Sequence, residues 1–130
     1  MTYPLASIKS GEEPIAGIWV SIGFSSPGRE LDVLHIIGGD ETDPRRIKMG
    51  LLPIYLERYD QKLSCYRGAD RIVVEDGSVT VTLNKVGQDA LDLPDTLHFV
   101  SPKADDDFKA AREIFTKMKN YESGKIIHVG

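Results

Sequence analysis

The sequence predicts an α+β fold, a mostly antiparallel sheet with one principal C-terminal helix packed on a face. Three observations carry this. Asp76-Gly77 separates two runs of alternating apolar residues, Gly and Pro break the first hundred residues into short β-branched runs, and residues 105–119 hold the one long helical stripe.

The first strong run is Ile15 to Phe24, where Ile18, Val20, Ile22 and Phe24 alternate with Gly17, Trp19, Ser21 and Gly23. That is a strand with one heavy face. Ser25 to Glu30 is a turn cluster, and Leu31 to Ile37 is a second strand ended by Gly38-Gly39. Asp40 to Lys48 reads as an exposed loop. Leu52 to Tyr59 is a further strand, with Pro53 at its first residue or on an edge, where a missing donor is tolerated. Asp60-Gln61-Lys62 turns the chain into Leu63 to Tyr66.

Arg71–Glu75 and Ser78–Leu83 flank Asp76-Gly77, the pair favoured by a two-residue type I′ turn with positive φ at both central residues. That turn pairs Val74 with Val79 and Ile72 with Val81, which gathers four β-branched side chains on one face. Val86 to Leu93 reads as a short helix stopped by Pro94, and Thr96 to Val100 as a strand. In the helix Asp105 to Lys119, Phe108, Ala111, Phe115 and Met118 form one stripe with Ile114 beside it. Aspartates open that helix and lysines close it, as the helix dipole favours. Lys125 to Val129 is either a short edge strand or loose.

A chain of 130 residues with 41% hydrophobic and 28% charged residues has an ordinary globular composition and predicts a single domain, residues 1–130. A net charge of −4 argues against the phosphate-neutralising surface of a nucleic-acid-binding protein. Arg45-Arg46-Ile47-Lys48 lacks the interleaved aromatics of such a surface. Met1 to Lys9 has no basic start leading into an apolar core, so it does not read as a secretory signal. Ile15 to Phe24 and Leu51 to Leu56 are far short of the roughly 20 apolar residues of a spanning helix. The expectation is a soluble cytoplasmic protein with no membrane partner.

Catalytic chemistry is hard to assemble from these residues. Cys65 stands alone in a β-like run, and nothing local places His35, His98 or His128 beside it as a base. The histidines are too scattered for a metal motif, and Asp40-Glu41-Thr42-Asp43 lacks the glycine and terminal glutamate of a calcium loop. Gly38-Gly39 is followed by no Lys-Ser or Lys-Thr, so it reads as a turn rather than a phosphate cradle. Asp105, Asp106 and Asp107 point about 100° apart on a helix and cannot converge as an acid/base pair. No catalytic residue, metal or cofactor is expected.

Tyr55 to Gly68 carries Glu57, Gln61, Tyr66 and Gly68, followed by the Asp76-Gly77 hairpin and the strand and helix of Leu97 to Phe115. In this order, residues 51–119 resemble the immunity protein ten family of bacterial polymorphic-toxin systems. Lys62 and Cys65 depart from that pattern, which has small residues after the glutamine. The resemblance implies a non-enzymatic cytoplasmic protein that binds and neutralises a cognate protein toxin. Expected polar contacts are Asp40, Glu41, Asp43 and Glu57, with Trp19 and Tyr59 as aromatic anchors. Each also has a plainer role: Glu57 in stabilising its turn, Tyr59 in packing, Trp19 in capping the second sheet face. Two rival readings stay open. One is a small enzyme or ligand-binding domain with a pocket between sheet and helix. The other is a homo-oligomeric scaffold joined along an exposed strand edge.

Overall fold

In the computed structural model, which describes residues 1–13, 17–38, 54–59, 62–101, 105–120 and 125–130, the chain begins with a strand that alternation conceals. Strand β1 (Thr2–Glu13) buries both Tyr3 and Ile8, which lie an odd number of residues apart. Its register with the next strand shifts between Leu5 and Ser7, and this bulge turns both side chains to the same face. Alternation does not reveal this strand in the sequence, because period two holds only on either side of the shift.

Strands β2 (Gly17–Ser26) and β3 (Arg29–Gly38) follow the expected alternation, with Ile18, Val20, Ile22, Phe24, Leu34 and Ile36 all buried. Next come β4 (Tyr55–Arg58), β5 (Ser64–Tyr66), β6 (Ala69–Glu75) and β7 (Ser78–Leu83). The β6–β7 hairpin has the predicted register, Val74 opposite Val79 and Ile72 opposite Val81, with all four fully buried. Its turn is not type I′: Gly77 has φ 79° but Asp76 keeps a negative φ. Helix α1 (Lys85–Leu91) is capped by the Asn84 side chain, which accepts from the Gly87 N–H. It ends two residues earlier than the sequence predicts because Asp92 adopts a left-handed conformation, φ 53°. Strand β8 (Thr96–Val100), helix α2 (Asp106–Lys119) and strand β9 (Ile127–Val129) complete the order.

The nine strands among the described residues form one sheet in the order β5-β4-β3-β2-β1-β8-β7-β6-β9. Strand β1 joins its halves, pairing through Leu5–Glu13 with β2 and through Thr2–Pro4 with β8. The sheet is mixed: six of its eight strand pairings are antiparallel, in keeping with the mostly antiparallel expectation, while β1–β8 and β6–β9 are parallel. The second pair has a direct cause. Helix α2 carries the chain back along the sheet after β8, so β9 starts from the same end and runs the same way. Two helices pack on it, the short α1 set against β4, β5 and β7 and the longer α2 against β1, β2 and β9.

Phe108, Ala111, Ile114, Phe115 and Met118 form the buried stripe of α2, as the sequence predicts. Asp105 caps the helix by accepting from the Phe108 N–H at 3.0 Å. Among the described residues no helix is long and apolar enough to cross a membrane.

Helix α1 meets the β5–β6 corner through two glycines. A Cβ on Gly87 would press into the backbone carbonyl of Gly68, and one on Gly68 would lie 2.9 Å from the Gly87 Cα. Alanine normally favours a helix over glycine by about 1 kcal/mol, but overpacking of this kind costs about 1–3 kcal/mol. Gly87→Ala is therefore expected to lower the urea midpoint, and a raised midpoint would contradict the close approach.

Candidate functional site

Alternation that buries one side chain of each pair presents the next on the opposite face. On β2, β3 and β4 the residues between the core positions are Trp19, Ser21, Val33, His35, Ile37, Tyr55 and Glu57, all half-buried. The strand registers align them. One row crosses five strands as Gly11, Trp19, Ile37, Tyr55 and Tyr66, and the neighbouring row runs Lys9, Ser21, His35, Glu57 and Ser64. An aromatic and aliphatic ridge thus lies beside a polar one.

The Trp19 indole lies over Gly11, where an added Cβ would meet its Cζ2 at 2.9 Å. Tryptophan thereby covers a backbone that glycine leaves bare. The Tyr55 and Tyr66 rings contact at 4.9 Å between centroids, tilted by 47°, and the Tyr55 hydroxyl donates to Glu57 Oε1 at 2.9 Å. Burial, with the Glu57 carboxylate adding to it, raises the Tyr55 pKa against the opposing Ser64 hydrogen bond, so the phenol keeps its proton and remains a donor. Tyr59 follows β4 with φ 66°, its N–H bonded to the Val33 carbonyl at 2.9 Å. It is 55% exposed, and the Arg29 guanidinium sits 4.5 Å above its ring centroid.

These four complete the aromatic census. Tyr3, Phe24, Phe99, Phe108 and Phe115 are buried in the core, and Tyr121 lies outside the described residues. Every other aromatic is on the β2–β5 part of the sheet. Of the residues expected to contact a partner, Trp19 and Glu57 share the outward face in adjacent rows, and Tyr59 stands at the end of the same strands. Asp40, Glu41 and Asp43 lie outside the described residues, as does Gln61. Tyr55, Tyr66 and His35 were not singled out from sequence as contacts. The phase of Tyr55, Glu57 and Tyr59 against Ile54, Leu56 and Arg58 was visible there, but the partner strand was not.

The polar row brings a hydroxyl, an imidazole and a carboxylate together. Ser21 Oγ is 2.6 Å from His35 Nδ1, and His35 is the cross-strand neighbour of Glu57. The same hydroxyl–imidazole pair recurs elsewhere, with Thr80 Oγ1 also 2.6 Å from His98 Nδ1. Antiparallel register alone makes both pairs, so the motif needs no reaction to explain it. Cys65 sits opposite the core residue Leu56 on the inner face, and burial pushes its thiol pKa up. All three histidines alternate with buried residues and so face outward, away from that thiol. A groove of about 400 Å³ between β1 and the start of α2 is lined by Leu5, Ser7, Lys9, Ser101, Asp105 and Asp107 among others, and holds neither Cys65 nor a histidine. Among the described residues no three His, Cys, Asp or Glu side chains are grouped to hold a metal ion.

One buried charge has no signal in the local sequence pattern. Asp32 is fully buried on the core face and accepts from Ser26 Oγ (2.8 Å), from Arg58 Nε (3.0 Å) and Nη2 (2.7 Å), and from the Val33 N–H (3.0 Å). Arg58 Nη1 also donates to the carbonyls of Leu91 and Asp92 at the end of α1. This network ties β3, β4 and α1 together behind the outward rows. No protein-family model, curated protein or solved structure matches this chain.

Proposed function

We propose that this chain is a non-enzymatic cytoplasmic binding protein of the immunity type, which neutralises a cognate protein toxin through the outward face of β2–β5. One observation carries the reading: every described aromatic outside the core, Trp19, Tyr55, Tyr59 and Tyr66, belongs to this part of the sheet. Tyrosine and tryptophan dominate protein interfaces because they bury much area at low entropic cost and carry a polar tip. The likeness of residues 51–119 to the immunity protein ten family supplies the class of partner.

A rigid inhibitor surface needs anchors, polar neighbours and a stiff support. Trp19, Tyr55 and Tyr66 supply the anchors, and Ser21, His35, Glu57 and Ser64 the neighbours. The Asp32–Arg58 network supplies the stiffness from behind.

Binding to the protein encoded beside this chain, and rescue of cells that express it, tests the proposal. Tyr66→Ala is expected to weaken that complex by about 2 kcal/mol, roughly thirtyfold, while leaving the unfolding midpoint nearly unchanged. Lys109→Ala, on the exposed side of α2, is expected to leave affinity unchanged. Equal affinity of both variants would overturn the assignment of this face.

A further inference from the structure

We infer that the groove between β1 and the start of α2 binds an extended, basic segment of a second protein, which adds to the edge of β1 as a further strand. The site is separate from the outward face of β2–β5 and does not depend on it. Its basis is the way that β1 changes partners. Strand β8 pairs with β1 only through Thr2–Pro4, and from Leu5 to Glu13 the ladder runs to β2. The bulge between Leu5 and Ser7 bends β1 at that point. Strand β8 ends at Val100, and the Ser101 N–H donates to the Gly77 carbonyl at 2.8 Å, on the side away from β1. Among the described residues no strand therefore pairs with the second edge of β1 beyond Pro4.

The groove, about 400 Å³, lies along that edge. Five consecutive residues of β1, Leu5 to Lys9, line it, whereas a groove over one face of a strand would meet only alternate residues. In an antiparallel ladder alternate residues turn their N–H and C=O groups away from the partner strand, so β1 directs backbone donors and acceptors to this side. Such an edge is a template for another chain, and the backbone of an extended peptide matches its spacing. Five residues at about 3.3 Å each span about 16 Å, and the volume falls in the range of ligand sites. The charge of the wall selects the segment. Asp105 and Asp107 line the groove with one cation, Lys9, whose Nζ lies 2.8 Å from Asp107 Oδ2. Two carboxylates against one ammonium favour lysine or arginine in the incoming segment.

The test is an amide-shift NMR titration of the isotope-labelled protein with the blocked pentapeptide Thr-Lys-Val-Lys-Thr. Shifts are expected at residues 5–9 and 105–108. Methylating the peptide nitrogens of its second and fourth residues, or of its third and fifth, removes the backbone donors of one edge at a time. One methylation is expected to cost about tenfold in affinity and the other less than about twofold. The peptide Thr-Glu-Val-Glu-Thr is expected to bind about tenfold more weakly than the lysine peptide, and Asp107→Lys to weaken the lysine peptide by a similar factor. Equal effects of the two methylations, equal affinity for the two charge types, shifts centred elsewhere or no binding by any peptide would each overturn the site. Signals of residues 5–9 that move with protein concentration alone would place a second copy of this chain in the groove and overturn the partner named. The wild-type comparisons decide the matter even where the variant fails to fold.

Discussion

Arg58→Ala is expected to destabilise the protein by about 3–5 kcal/mol, the cost of removing one partner of a buried ion pair. The reason is what stays behind. Asp32, fully buried, would keep its charge with only Ser26 and the Val33 N–H to hold it, and the carbonyls of Leu91 and Asp92 would lose their donor. Arg58→Lys should recover little of this, since one ammonium cannot reach Asp32 and two carbonyls as a planar fork does. Replacing both residues, Asp32→Leu with Arg58→Met, should cost far less than Arg58→Ala, because no charge is then stranded. Exposed pairs such as Lys85–Asp89 are screened by water and should hardly register.

The same network makes a pH signature. Burial pushes the Asp32 pKa up, but hydrogen bonds from Arg58 and Ser26, the Arg58 charge and the Val33 N–H outweigh it, so the net shift is downward. A carboxyl depressed on folding stabilises the protein above its unfolded pKa, near 3.9, and loses that contribution as pH falls through the folded value. Without Arg58 the depression goes. The gap in stability between wild type and Arg58→Ala should therefore be full at neutral pH and shrink below about pH 4. A gap independent of pH, measured by urea unfolding between pH 7 and 3, would contradict the assignment.

Phe99→Ala is the second large effect, with an expected loss of about 3–5 kcal/mol. Phe99 is fully buried on β8, at the point where β1 joins the two halves of the sheet. Its ring lies 5.6 Å from Tyr3 and 5.0 Å from Phe24, which are themselves 5.0 Å apart. The cavity would open between strands from both halves, where no single element can collapse to fill it. Phe99→Leu, which keeps most of the volume, should cost less than about 1.5 kcal/mol. A small effect of Phe99→Ala would mean that the halves do not depend on this cluster.

These two sites show what the sequence could and could not disclose. The hairpin at Asp76-Gly77 was legible in register because turn length and alternation fix it locally. The α2 stripe was legible for the same reason. Strand β1 was not, because the shift near Ala6 reverses the phase that alternation relies on. The parallel pairing of β9 with β6 depends on where α2 returns the chain, which no local pattern encodes. Asp32 looked like one polar residue in a β-branched run. Its partner lies 26 positions away, and only the β3–β4 register brings them together. The outward face was half legible: Trp19, Glu57 and Tyr59 were read as candidates from their own segments. The row that links Trp19 to Tyr55 and Tyr66 needed the strand order.

The central claim is that the outward face of β2–β5 holds a protein toxin. The most direct measurement is calorimetric titration of the neighbouring-gene product into wild type, Tyr66→Ala, Glu57→Gln and Lys109→Ala. The account predicts tight binding by wild type and Lys109→Ala, and affinity reduced by at least tenfold in the two face variants, all four sharing one circular-dichroism spectrum. Undiminished binding by the face variants, or no binding by the wild type, would contradict it.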